Sequence, residues 1–326
     1  MKQQFDGSNV LITGGLGFIG SNLAIRLVEL GANVTLVDSL VPEYGGNLFN
    51  IEPVKNKVRV NISDVRDQFS MRYLVQGQDY LFNLAGQTSH LDSMHDPFTD
   101  MEINCRAQLS ILEACRLHNP EVRIVFASTR QVYGRPRYLP VDENHPLNPV
   151  DVNGINKLAG EKYHLLYHQV YGIPTTVLRL TNTIGPRMRI KDARQTFIGI
   201  WIRNLLERKP IEVWGGEQVR DFTDVDDAVA AFLVAATKDE ARGDIFNLGG
   251  PCSTLKEAAE RLCQFAKNGS YEVKAFPAER ERIDIGDYRA DASRARQLLQ
   301  WESTADLSAT FSATIEYFRR HLPNYI

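Results

Sequence analysis

Three glycines spaced three apart, Gly14, Gly17 and Gly20, follow the apolar run Val10-Leu11-Ile12 and lead into a stretch with helix-like apolar spacing through Val28. Such glycines allow a tight turn, a close backbone approach to a pyrophosphate and close packing of helix on strand. The phosphates of a dinucleotide then meet the free N–H groups and positive end of the helix. Gly15, Gly17 and Gly20 fit a second register, so spacing alone leaves the turn open. The next apolar run, residues 33–37, ends in Asp38. A carboxylate there accepts hydrogen bonds from the adenosine ribose and repels a 2′-phosphate, which favours NAD over NADP. Asp64, after the short run 58–62, is placed either to accept from the adenine amino group or to cap a helix beginning near Arg66. His164 and His168 lie one helical turn apart, but neither acid nor Cys accompanies them, so an exposed or interface face is expected and no metal site.

These groups need elements to hold them. Tyr80-Leu81-Phe82-Asn83 reads as a further strand running out at Leu84-Ala85-Gly86, small residues where backbone passes a ligand closely, with a polar loop at 87–93. Residues 98–117 have helical periodicity, with Asn104 facing solvent. A strand over 123–129, a helix through Lys157, Glu161 and Tyr167, and a strand over 175–180 continue the βα alternation. That alternation predicts an α/β fold: a Rossmann-type doubly wound parallel sheet with helices on both faces. Beyond Thr181 the pattern turns irregular, with a helix over 196–207, short strands at 211–214 and 246–248 separated by a helix at 226–237, and a mostly helical tail. The expected division is a dinucleotide domain of 1–181, to which 223–248 returns, and a smaller mixed α/β cap of 182–222 and 249–326 over the strand ends, where ligands of open sheets collect.

The 326 residues allow a large core, and a net charge of -3 gives no reason to expect nucleic acid or an anionic membrane as partner. The first residues lack a signal peptide's apolar core, and no run approaches the ~18 apolar residues of a membrane span. A soluble, cytoplasmic protein is expected. Cys105, Cys115, Cys252 and Cys263 form no close pair, which argues against a zinc knuckle or a disulfide scaffold.

Taken together, Thr13-Gly14-x-x-Gly17-x-x-Gly20, Asp38, Asp64-Val65, Ser128-Thr129 with Val132-Tyr133-Gly134, Lys157, Leu178-Arg179 with Asn182 and Gly185-Pro186-Arg187, and Arg220-Asp221-Phe222-Thr223 make the chain resemble an extended short-chain dehydrogenase/reductase over nearly its whole length. That class contains the NAD-dependent nucleotide-sugar epimerases and dehydratases. The resemblance implies bound NAD, held by Gly14, Gly17, Phe18, Ile19, Gly20, Asp38, Ser39, Asp64, Val65, Leu84, Ala85, Gly86 and Lys157. It also implies a reaction begun by hydride removal from a sugar carbon, with a Ser or Thr hydroxyl, a Tyr and a Lys as the catalytic group. Thr129 matches the hydroxyl and Lys157 the lysine, but four residues before Lys157 stands Asn153. An amide has no accessible proton to exchange near neutral pH. His90 is the first candidate to replace the phenol, because imidazole titrates in the useful range; the alternative is a loop histidine bonded to backbone. Tyr133, Asp151 and His145 are weaker candidates.

Arg130-Gln131 stands where a dehydratase of this class carries an acid pair, and neither side chain can protonate a departing hydroxyl. Arg130 faces an anionic substrate group or forms a surface ion pair. By similarity, Asn182 and Arg220 meet the diphosphate of a nucleotide sugar, with Arg187 and Arg189 as further donors, Thr88 at the same mouth, and Arg282 and Tyr288 at the nucleoside or cap. The expectation is an NAD-dependent epimerase working through a transient ketone with a nonstandard acid/base, and a homodimer through helices 98–117 and 153–171. The alternatives are an oxidoreductase or dehydratase of the same class, or an inactive binding protein.

Overall fold

The computed structural model describes residues 1–194, 196–267, 269–277 and 282–326. Its strands are β1 (Asn9–Thr13), β2 (Asn33–Asp38), β3 (Val58–Ile62), β4 (Tyr80–Asn83), β5 (Arg123–Thr129) and β6 (Thr175–Leu180). They continue with β7 (Asn182–Ile184), β8 (Ile211–Trp214), β9 (Val219–Asp224), β10 (Asp244–Asn247), β11 (Cys252–Thr254) and β12 (Tyr271–Lys274). Seven of them form one parallel sheet in the order β10-β6-β5-β4-β1-β2-β3. The winding reverses at β1, which lies between β2 and β4, and a crevice opens there at the carboxyl ends of the strands.

Both faces of this sheet are covered, which is why its strands read as continuous apolar runs. Val10 and Ile12 pack with Leu23, Leu27 and Phe232 on one face, while Leu11 packs with Leu81, Ile111 and Leu112 on the other. Helices Phe18–Glu29 and Val225–Thr237 cover the first face, and Gln68–Leu74, Ala107–His118 and Val152–Tyr171 the second. Asp151 caps the last of these by accepting from Gly154 N, and Gly172 ends it in the left-handed conformation.

The remaining strands lie outside that sheet. β9 pairs parallel with β7 and antiparallel with β11, and β8 pairs parallel with β12. Helices Phe197–Leu206, Leu255–Ala266 and Leu307–His321 share a core there, built on Ile202, Phe222, Leu262, Phe311 and Phe318. β12 breaks the expected run of helix in the tail, and the helix Leu307–His321 extends it, burying Leu307, Phe311, Thr314 and Phe318 at helical spacing.

Three local expectations are corrected. His90–His95 is a short helix rather than loop, because the Ser89 side chain accepts from Asp92 N and starts it. Asn104 is fully buried: a π-turn at Glu102–Arg106 inserts into the helical run and rotates it inward. His164 is also fully buried, stacked on Phe126 with ring centroids 4.2 Å apart, so it belongs to the core and not to an exposed face.

Candidate active site

Gly14 takes the left-handed conformation at φ +67, and a Cβ there would lie 3.0 Å from the Ala85 backbone. A Cβ on Gly20 would lie 2.3 Å from the Gly14 carbonyl oxygen, so the first turn of the helix rests directly on the loop. Gly17 is the N-cap and supplies no side-chain acceptor, which leaves amides at the helix start available to an anion. Gly15 backs onto Leu36 instead, so Gly14, Gly17 and Gly20 are the register that lines the cavity.

This turn, the end of β2 and the segment after β4 wall a cavity of about 1480 Å³, counted out to its open mouth. Phe18, Ile19, Ser39, Val65, Leu84, Ala85 and Gly86 lie on the wall with the three glycines, Asp38, Asp64 and Lys157. The Asp38 carboxylate accepts from Leu16 N at 3.0 Å and Leu40 N at 2.9 Å, so it also ties the glycine turn to β2. Burial raises its pKa against those two bonds. Asp64 is gripped by Arg66 through Nε and Nη2 at 3.0 and 2.6 Å, which holds its carboxyl below the ordinary value. It does not cap the next helix; Asp67 does. A glycine cradle, an unshielded helix start and a carboxylate at the end of β2, all on one cavity, fit a dinucleotide.

The same lining carries Thr88, His90, Thr129, Arg130, Gln131, Asn153 and Asn182 beside Lys157. Lys157 Nζ donates to Ala127 O at 3.1 Å, and burial pulls the amine down to about 8, partly offset by Asp100 and Glu161. Thr129 Oγ1 accepts from Gln131 N at 3.2 Å. Asn153 turns its amide away from proton chemistry: Nδ2 donates to Gln87 O at 2.8 Å and to Asp100 Oδ2 at 3.0 Å. Asn104 donates to the same two oxygens, and Asn156 to Asp100 Oδ1 at 2.8 Å. Asp100 is thus a buried carboxylate held by three amides.

His90 is not a backbone-bonded histidine. Its Nδ1 lies 3.0 Å from Asp151 Oδ2, and Gln131 Nε2 donates to that oxygen at 3.0 Å. Gln131 Nε2 also lies 3.3 Å from Nδ1; since a carboxylate only accepts, the tautomer that bonds Asp151 carries Nδ1–H and has its lone pair on Nε2. Burial acts to raise the Asp151 carboxyl, but the bonds from His90, Gly154 and Gln131 hold it below its ordinary value. The sequence named Asp151 only as a weaker acid/base candidate and Gln131 only as unable to protonate a leaving hydroxyl; their pairing with His90 was not expected, and an acid at the N-cap of a helix was the available signal.

Several expected substrate contacts lie off the wall. Arg187 donates to Asn50 O and Asn22 Oδ1 and lies 5.4 Å over the Tyr317 ring, tying the sheet domain to the last long helix. Arg189 pairs with Asp192 and donates to Pro42 O at 2.7 Å. Arg220 grips Asp284 and donates to Gly286 O. Tyr288 is buried behind Arg130, and Arg282 is exposed away from the cavity. In the first three, the guanidinium is taken up by the protein's own acceptors, which is what a basic side chain does when an acid or a carbonyl is nearer than a ligand.

The family profile described as NAD dependent epimerase/dehydratase matches residues 10–249. A putative UDP-glucose 4-epimerase of Methanocaldococcus jannaschii is 37% identical over 243 residues, 74% of this chain and 76% of the relative. The solved UDP-glucose 4-epimerase of Thermotoga maritima, holding UDP-glucose, superposes with a TM-score of 0.87 at 29% identity, covering 96% of this chain and 99% of its own. The UDP-glucuronic acid 4-epimerase of Bacillus cereus, holding UDP-glucuronic acid and NAD, gives 0.86 at 26% identity over 96% and 99%. The glycine turn at the reversal point of the sheet, the acid closing β2 and these likenesses agree, and the chain belongs to the NAD dependent epimerase/dehydratase family of enzymes.

Proposed function

We propose that the enzyme epimerises a nucleotide-activated sugar through a transient ketone, with His90 as the acid/base in place of the missing phenol. NAD, when bound, would supply a reversible hydride acceptor for the reacting carbon. Lys157 and the residues at the ends of β1, β2 and β4 hold the dinucleotide, and Asn182 and Thr88 face the nucleotide sugar. Thr129 orients the reacting hydroxyl through its own. His90 Nε2 receives that hydroxyl's proton as hydride leaves, and gives it back when the ketone is reduced. Asp151 orients the ring and stabilises the imidazolium. The observation that carries this reading is the His90–Asp151 pair on the cavity wall, beside an Asn153 amide committed to Asp100 and Gln87. Residues 1–181 with 223–248 form the dinucleotide domain, and the rest the cap.

Incubation with a panel of nucleotide sugars, read by NMR for inverted ring carbons and by absorbance for NADH, tests the reaction. Inversion without net NADH supports it. Stoichiometric NADH would make the enzyme an oxidoreductase, and binding without turnover would make it a binding protein.

Asp38→Ala is expected to weaken NAD about tenfold, the effect of losing roughly one charged hydrogen bond, and NADP much less. Calorimetric titration of both cofactors checks this. Equal losses would show that Asp38 acts only by anchoring Leu16.

The helices that follow β4 and precede β6 leave Phe98, Leu117, Ile155, Leu166 and Val170 exposed. A second copy of the chain would cover these exposed apolar side chains. Sedimentation should show a dimer, and Val170→Glu should shift it to monomer; a monomeric wild type would remove the proposal.

A further inference from the structure

Arg130 opens the turn Arg130–Tyr133 directly after Thr129, at the end of β5, and lines the cavity beside Gln131. A guanidinium carries five donors, no acceptor and a permanent charge. Arg130 Nε is shut away from solvent with no hydrogen-bond partner, and among the described residues Arg130 makes no ion pair. The surface ion pair that its position allowed is therefore absent from these residues. Two acids act on its charge, neither as an ion pair among the described residues. Asp284 is held by Arg220 at 2.9 and 3.2 Å; Asp221 Oδ2 accepts from Ala290 N at 3.0 Å, while its buried Oδ1 has no partner. Neither acid is on the cavity wall, nor is Tyr288, whose ring lies 5.6 Å from the guanidinium carbon and braces it from behind. Burial, and then the Arg220 charge, pull the Arg130 pKa below its ordinary value.

A half-buried cation that makes no ion pair among the described residues gains from an anion that a ligand supplies. A planar fork of donors matches a planar anion with two oxygens, carboxylate or phosphate. The glycine turn offers its amides to the phosphates of the cofactor at the other strand ends. Arg130 instead adjoins Thr129 and the His90–Gln131–Asp151 cluster, so a group it meets belongs to the sugar ring and not to the diphosphate.

We propose that Arg130 is a carboxylate subsite and that the preferred substrate is a nucleotide-activated acidic sugar. This rests on the nucleotide-sugar reading above. The test uses the full chain loaded with NAD and measures binding of matched probes by calorimetry: UDP, UDP-glucose and UDP-glucuronic acid, with GDP, GDP-mannose and GDP-mannuronic acid in parallel. Within the set that binds, the acidic sugar should bind at least tenfold tighter than its neutral partner. Arg130→Gln should abolish that preference while leaving the free diphosphate and the neutral sugar within about twofold, and Arg130→Lys should restore part of it. Equal binding of acidic and neutral sugars by the wild type overturns the proposal whatever the variants do. So does an Arg130→Gln variant that weakens the diphosphate as much as the acidic sugar, since Arg130 would then be a phosphate contact. If NAD binds but no probe of either set does, the nucleotide-sugar reading itself fails and the subsite falls with it.

Discussion

Replacing His90 by alanine is expected to lower turnover by about 10²–10⁴-fold, the range that a positioned general acid/base supplies. Binding of NAD and of the sugar nucleotide should change little, because the lost atoms are half exposed and their one charged contact is Asp151. The size of the effect follows from the geometry. With Nδ1–H committed to Asp151, Nε2 is the one ring atom able to take a proton, and no phenol replaces it at position 153. Asp151→Asn is expected to act through the ring. It can keep the bond from Gly154 N, and hence the helix cap, while it removes the charge that stabilises the imidazolium. A shift of the pH–rate profile with unchanged binding would identify that positioning role, which a merely structural residue would not produce. A His90→Ala enzyme with wild-type rate and wild-type pH profile would eliminate His90 and leave the cavity with another base.

The largest loss of stability is expected at Glu161→Ala, at about 3–5 kcal/mol, because it strands a buried cation. Arg179 is 1% exposed and donates to Glu161 through Nε at 2.9 Å and Nη2 at 2.7 Å. Its Nη1 donates to Tyr133 OH at 2.7 Å, and Tyr133 OH donates to Asn247 Oδ1 at 2.7 Å. Ser128 Oγ also donates to Glu161. The network thus joins β5, β6, β10 and the helix Val152–Tyr171 behind the wall that carries Thr129. Chemical denaturation should show the midpoint falling. The double variant Glu161→Leu with Arg179→Met should recover most of the loss, since removing both leaves no buried charge uncompensated. A single variant within about 1 kcal/mol of wild type, or a double variant no better than the single, would mean that water reaches Arg179 when its partner is gone.

The cofactor side of the cavity was legible in the sequence because its determinants are local. A turn that needs a left-handed residue, a helix that must start on bare amides and an acid closing a strand are each written within a few neighbouring residues: Gly14, Gly17, Gly20 and Asp38. The alternation of apolar strands with periodic helices likewise dictates a parallel sheet, and the sheet places every such strand end at one crevice. The helix Leu307–His321 carried an equally local signal in its apolar spacing.

The substrate side was decided only by the folded chain. Asn104 reads as solvent-facing at a regular helical period, and the π-turn that buries it changes the period by a residue. Arg187, Arg189 and Arg220 were indistinguishable from ligand-binding arginines by type and spacing, yet Asn50, Asp192 and Asp284 reach them first. His90 acquires its partner from the far end of the helix-capping loop, and Arg130 is left without one for the same reason. Which polar group satisfies which depends on distances that arise when remote segments pack, and those distances set tautomer, charge and reach.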